Sequence, residues 1–179
     1  MYFKNNSYKN RGKNLEAYVN TANDYYMSCG SCAVFKVPTP KKILWKNCNG
    51  YRVPVKAIYE DKAWVDYTGV VNSIPITFDA KETQNKTSFP LSNIKQHQME
   101  KLDTWVKCGG KAFLIVYFVE HEKMYLLSYE ILKEYWDSSL KGGRKSIPYK
   151  EFEDNCIAIV QNRMIMCDWL TSAKQYIGG

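Results

Sequence analysis

The sequence predicts a mixed α/β domain with one central sheet flanked by helices. Strand-length apolar runs alternate with segments of helical period. The run AFLIVYFV at 112–119 is too long for a loop and too short to cross a bilayer. The segment IPITFDAK at 74–81 alternates with the period of two expected of a strand. A chain of 179 residues fits a single domain with a sizeable core, so residues 1–179 are read as one unit.

The elements follow in order. Residues 1–12 are polar and basic and read as a flexible arm carrying Arg11. Leu15, Tyr18, Val19, Ala22, Tyr25 and Tyr26 recur at helical spacing, so 15–27 is expected to be an amphipathic helix ended by Gly30. A short strand is expected at 32–37, closed by Pro38 and Pro40. From 41 to 62 basic and apolar residues alternate around NCNGYR, which predicts an extended hairpin projecting from the body. Strands at 63–71 and 74–81 are joined at Asn72-Ser73, and a helix over about 92–108 stops at Gly109-Gly110. A buried strand at 111–119, an edge strand at 122–128 and a helix at 129–140 come next. The basic loop LKGGRKSIP then leads to a strand near 156–161 and a helix from about Asp168.

The net charge of +7 favours an anionic partner, with nucleic acid first and a membrane surface second. Lysines and arginines cluster at 4–13, 36–62 and 141–150, interleaved with Tyr and Trp. No apolar segment suits a signal peptide or a membrane span, so a cytoplasmic protein with free thiols is expected. Cys29-Gly30-Ser31-Cys32 has CxxC spacing, but no second pair or nearby His completes a zinc site. GGRKS at 142–146 lacks the spacing of a phosphate-cradling glycine loop.

Chemistry concentrates on the central hairpin. Alternation puts Thr77, Asp79 and Lys81 on one face of their strand. If Asn72-Ser73 is a two-residue turn, Asp66 lies directly opposite Asp79, with Cβ atoms roughly 4.5–5.5 Å apart. Two facing carboxylates repel unless something neutralises them, and a divalent cation held by carboxylates and substrate phosphate is the natural candidate. A lysine beside such a pair can stabilise charge on phosphoryl oxygens. A solvent-facing hairpin with scattered charges would show the same bare pattern. On the next helix, Gln98 falls on the apolar stripe of Leu91, Ile94, Leu102 and Trp105, where a buried amide needs partners. It could satisfy backbone groups in the core or reach the metal shell. His97 faces elsewhere and reads as structural.

These residues carry a resemblance. DAKETQNKTSFPL at 79–91, with NRGKNLE at 10–16, VPTP at 37–40, VDYTGV at 65–70, HQ at 97–98, YLLS at 125–128 and GGRKSI at 142–147, resembles the RecU Holliday-junction resolvases, in order over roughly 10–170. The resemblance implies a restriction-endonuclease-like PD-(D/E)xK core, a homodimer, and Mg²⁺-dependent symmetrical nicking of four-way junction DNA in recombination and repair, with Mn²⁺ as a substitute. It implies a stalk that enters the junction centre, matching the hairpin at 41–62. The metal carboxylates would be Asp66 and Asp79, the catalytic lysine Lys81, and the glutamine of the metal shell Gln98. Glu82 matches a family acidic position, although alternation turns it to the other face. Arg11, Lys42, Lys46, Arg52, Lys56, Arg144 and Lys145 would contact DNA, and a recombinase is a further expected partner.

Two departures stand out, and they suggest a phage or prophage member. Asp79 replaces the usual Glu, one methylene shorter with the same charge. Trp64 stands where the family offers a hydroxyl to the metal shell, and indole cannot ligate a cation through oxygen. On the same register Trp64 faces Lys81, where a cation–π contact is expected. Weaker metal affinity follows, or a shell completed by a backbone carbonyl or water. Two other readings stand beside the resolvase: a branched-DNA-binding or recombinase-modulating protein with a weakened metal site, and a nuclease for ordinary duplex or single-stranded DNA.

Overall fold

A computed structural model describes residues 13–38, 41–59, 65–161 and 164–178. The expected arm at 1–12, with Arg11, lies outside the described residues, as do Trp64 and the end of the expected hairpin at 60–62.

The body is a six-stranded mixed sheet between two helical layers. Its strands are β1 (Ala33–Lys36), β4 (Tyr67–Val71), β5 (Ile74–Thr83), β7 (Lys111–Phe118), β8 (Lys123–Ser128) and β10 (Ile157–Ile159), in the spatial order β1-β4-β5-β7-β8-β10. Only β5 and β7 run parallel; the other neighbours are antiparallel. A parallel pair needs a crossover. It is supplied by β6 (Ser88–Pro90), a 3₁₀ turn at Leu91–Asn93 and α2 (Gln96–Lys107).

The alternation of β5 and β7 sends apolar residues to both faces, so each face is covered. On one, Leu15, Val19 and Ala22 of α1 (Lys13–Ser28) and Trp169, Leu170 and Ala173 of α5 (Trp169–Gly178) pack over Phe78, Phe113 and Ile115. Phe78 stacks on Tyr67 and Phe113 with centroids 4.9 and 4.8 Å away. On the other, Met99 and Leu102 of α2, Leu132 of α3 (Tyr129–Leu140) and Phe152 of α4 (Tyr149–Asn155) cover Leu114 and Val116.

The architecture matches the expected mixed α/β class, with four local corrections. The segment 122–128 is an interior strand: Met124, Tyr125, Leu126 and Leu127 are all buried, the mark of a strand covered on both faces. The edges are β1 and β10. The helix expected from 92 starts at Gln96, because 91–93 forms the tighter 3₁₀ turn. The strand expected from 63 starts at Tyr67, with Val65 and Asp66 leading into it. The expected loop at 140–148 instead contains β9 (Ser146–Pro148), and α4 follows directly. Strand β9 pairs with β6 far away in sequence, and a three-residue pairing leaves no periodic trace.

Strands β2 (Lys41–Cys48) and β3 (Tyr51–Tyr59) form a separate two-stranded ribbon, as the hairpin reading expected. Asn49 and Gly50 at its tip have φ of 51° and 82°, a turn with both central residues left-handed, for which Asn-Gly is the preferred pair. Every described side chain from 41 to 56 is exposed, so the ribbon projects from the body.

Candidate active site

The turn between β4 and β5 sets the register of the site. Asn72 and Ser73 have φ of 50° and 65°, the two-residue turn whose twist suits a tight hairpin. It pairs Val71 with Ile74 and continues to Tyr67 with Phe78, so the next position, Asp66, falls beside Asp79. The expected register is the one observed. Strand β1 fixes the same corner, because the Val37 amide donates to the Asp66 carbonyl at 2.8 Å. That close packing depends on Gly69, where an added Cβ would sit 2.0 Å from the Ala33 carbonyl oxygen.

Asp79 is buried, with 1% of its surface exposed, and its carboxylate is crowded with donors. Oδ2 receives Gln98 Nε2 at 2.6 Å and pairs with Lys81 Nζ at 2.8 Å, while Oδ1 accepts the Ala80 amide at 3.1 Å. Gln98 is locked in turn, since its Oε1 accepts the Lys95 amide at the start of α2 at 3.1 Å. An inverted amide would put oxygen against carboxylate and donor against donor, so the network itself selects this orientation. The sequence placed Gln98 on a buried face. It gave no sign of the Lys95 and Ala80 amides, whose roles appear only in three dimensions. Lys81 keeps 19% of its side chain exposed, enough to meet an incoming ligand.

Burial pushes the Asp66 carboxyl up to about 7, reinforced by its hydrogen bond to Asp79 and that residue's charge. Lys81 and the Ala80 amide act in the opposite direction. Two carboxyls therefore share a site that holds one proton with ease and two negative charges only with help. This donor set fits a hard divalent cation, which takes carboxylate oxygens and completes its shell with water or phosphate. Among the described residues no cluster of three or more His, Cys, Asp or Glu forms a metal cage, so phosphate and water would have to supply the remaining ligands.

The other expected residues separate. Glu82 faces away from Lys81, as alternation required, and its Oε1 accepts the Leu15 amide at 2.8 Å in the first turn of α1. Arg144 and Lys145 are exposed on the loop before β9. Pairing with β6 brings that loop to the chain segment between the site strand and α2, where Lys145 carbonyl accepts the Leu91 amide at 3.1 Å. Lys42, Lys46, Arg52 and Lys56 all lie on the ribbon, but not on one face. Lys46 pairs with Val53 and Lys56 with Leu44, placing Lys42, Lys46 and Lys56 together, whereas Arg52 pairs with Asn47 on the reverse.

Comparison with known proteins joins this geometry to a lineage. The family model for recombination protein U, RecU, matches residues 10–175. The chain belongs to the RecU family. It is 43% identical over 149 residues to the Holliday junction resolvase RecU of Pediococcus pentosaceus, covering 82% of this chain and 74% of that protein. It is 35% identical over 175 residues to the Holliday junction resolvase RecU of Levilactobacillus brevis, covering 97% and 87%. Among solved structures, Archaeoglobus fulgidus Hjc, a Holliday junction resolvase, aligns with a TM-score of 0.45 and 9% identity over 78% of this chain and 94% of that one. In this chain the fold gathers the Asp66, Asp79, Lys81 and Gln98 side chains at one point.

Proposed function

We propose that this RecU-family chain is a Holliday-junction endonuclease with a restriction-endonuclease-like core, hydrolysing phosphodiesters at the Asp66–Asp79–Lys81 centre. The observation that carries it is the buried Asp79 carboxylate, tied to Lys81 and facing Asp66. Asp66 and Asp79 would hold Mg²⁺, with Mn²⁺ as a substitute, and Gln98 Oε1 has a second lone pair to contribute to the shell. When bound, the cation neutralises phosphoryl charge and makes water a stronger nucleophile.

The chain's own groups do the rest. The Ala80 amide and Gln98 Nε2 fix Asp79, so the ligand carboxylate does not reorganise as charge develops. Lys81 Nζ orients the attacking water and donates to the phosphoryl oxygen as its charge builds. Asp66 gives up its proton when the site is charged. Arg144, Lys145 and the ribbon lysines hold the DNA backbone, with Arg11 adding to them from the arm. Two such centres in a homodimer would nick a four-way junction symmetrically. Among the described residues no helix is long and apolar enough to cross a membrane.

The test is cleavage of a synthetic four-way junction and of a linear duplex carrying the same arm sequences, with and without Mg²⁺ or Mn²⁺. Metal-dependent paired nicks on opposing strands of the junction, with the duplex spared, are expected. Equal cutting of the duplex would favour a general nuclease, and binding without cutting an architectural role.

A further inference from the structure

Beyond Lys81, the end of β5 borders a cavity of about 250 Å³, lined by Glu82, Thr83, Gln84, Pro90, Asn93 and Val119. Hydrolysis at Asp79 uses none of these residues. Two chain segments build both the cavity and the catalytic centre. On β5, Thr83 follows Lys81 by two residues, on the same face and roughly 6.6 Å further along. On the crossover, Asn93 precedes by two residues Lys95, whose amide holds Gln98. A DNA strand with its scissile phosphate at Lys81 would therefore bring a neighbouring nucleotide to this cavity.

The lining selects the kind of group that fits. Among the described residues it holds no Lys or Arg, and it includes the Glu82 carboxylate, so it repels a phosphate. Gln84 and Asn93 are exposed, and among the described residues neither side chain has a hydrogen-bond partner. Each amide offers two donor hydrogens and an acceptor oxygen. Thr83 Oγ1 accepts the Asn85 amide at 3.1 Å, which leaves its hydroxyl hydrogen to donate. Pro90 and Val119 add apolar surface. Neutral amides beside apolar surface suit a nucleobase, whose edges amides read, and a carboxylate accepts from an exocyclic amino group. The volume lies below the about 300–1,000 Å³ of drug-sized sites, at the scale of a single base.

Both segments are held in place, as selective recognition requires. The Thr87 amide and hydroxyl donate to Asn85 Oδ1 at 3.0 and 3.1 Å. His121 Nε2 donates to the Lys86 carbonyl at 2.8 Å, and its ring stacks on Tyr149 with centroids 4.0 Å apart. The Tyr149 amide in turn donates to the Thr87 carbonyl at 2.8 Å. On the crossover, the Leu91 amide donates to the Lys145 carbonyl and the Ile94 amide to the Leu91 carbonyl. We propose that this cavity takes one nucleobase beside the scissile phosphate, an amino-bearing base in preference to thymine, with Gln84 and Asn93 reading its edge. The chain thereby selects where along a strand it cuts. Unstacking the base costs least where pairing is already open. The proposal rests on the chain being a DNA endonuclease.

The experiment has two arms. In the first, four-way junctions with randomised arm sequences are cut in Mg²⁺ or Mn²⁺, and the products are sequenced. Wild-type protein is expected to enrich an amino-bearing base over thymine about tenfold at one fixed offset from the nick. Gln84→Ala and Asn93→Ala should each reduce that ratio to about twofold or less. Gln84→Glu keeps the size but exchanges donors for an acceptor, and should change which bases are favoured. In the second arm, metal-free binding is measured to junctions carrying an abasic nucleotide at each position in turn. One position should weaken wild-type binding several-fold, and the two alanine variants should be insensitive to it. Alanine variants that keep both the wild-type enrichment and the abasic effect overturn the proposal. So does thymine as the favoured base, or wild-type protein with neither an enriched base nor a sensitive position. Wild-type protein that cuts no junction with either metal overturns the endonuclease reading instead, and the abasic arm then still decides whether the cavity holds a base.

Discussion

Asp66 and Asp79 set the behaviour of the site with pH. The Asp66 carboxyl is raised to about 7 by burial and by Asp79, against an ordinary value of 3.8. The folded state therefore binds a proton more readily than the unfolded chain. Stability from this group is full below about pH 4 and is lost as pH rises to about 7. Asp66→Asn is expected to remove that loss, raising the melting temperature of metal-free protein at pH 8 by roughly 2–4 °C while abolishing cleavage. Equal melting of variant and wild type at pH 8 would show that the pair carries no such strain. Trp64→Thr restores the family's hydroxyl and is expected to lower the Mg²⁺ concentration needed for half-maximal cleavage; an unchanged requirement would clear Trp64 of weakening the site. At this scale the sequence was informative because a strand has a period of two and one turn sets a register. The orientation of the Gln98 amide was not legible, since it depends on the Lys95 amide at the opening of a helix whose start the sequence placed four residues early.

Elements position these residues, and two contacts between elements carry consequences for the site. Glu82 accepts the Leu15 amide and places a negative charge in the first turn of α1. Glu82→Ala is expected to cost about 1 kcal/mol of stability, measured by denaturant unfolding, with cation affinity unchanged. A loss of cation affinity would instead place Glu82 in the metal shell. Gly69 lets β1 approach β4, and β1 in turn holds the Asp66 backbone through Val37. Gly69→Ala should cost about 2 kcal/mol or more and lower cleavage, because displacing β1 releases Asp66. A variant with full stability and activity would show that β1 yields without disturbing the site. Long periodic segments such as α3 and β7 were legible from sequence. Short pairings were not: β6 with β9 joins two three-residue strands whose central partners, Phe89 and Ile147, lie 58 positions apart. The misreading of β8 as an edge has a similar origin, for its charged flanks at Glu120, Glu122 and Lys123 hide an interior strand.

For the whole molecule, the net charge of +7 is distributed among parts with different tasks. The ribbon and the Arg144–Lys145 loop are exposed cationic surfaces, while Lys81 is turned inward against Asp79. The α/β class was legible because buried strands and amphipathic helices alternate along the chain. The assignment of α1 and α5 to one face and α2, α3 and α4 to the other was not, because it depends on where the parallel crossover returns. The most direct test of the catalytic centre measures four-way-junction binding and cleavage together for wild type, Asp66→Ala, Asp79→Ala and Lys81→Ala, with Mg²⁺ titrated. The expected result is junction affinity within a few-fold of wild type in metal-free buffer, with cleavage lost in all three variants. Any one of them cutting the junction at the wild-type rate would contradict the assignment of that residue, and all three doing so would place the active centre elsewhere.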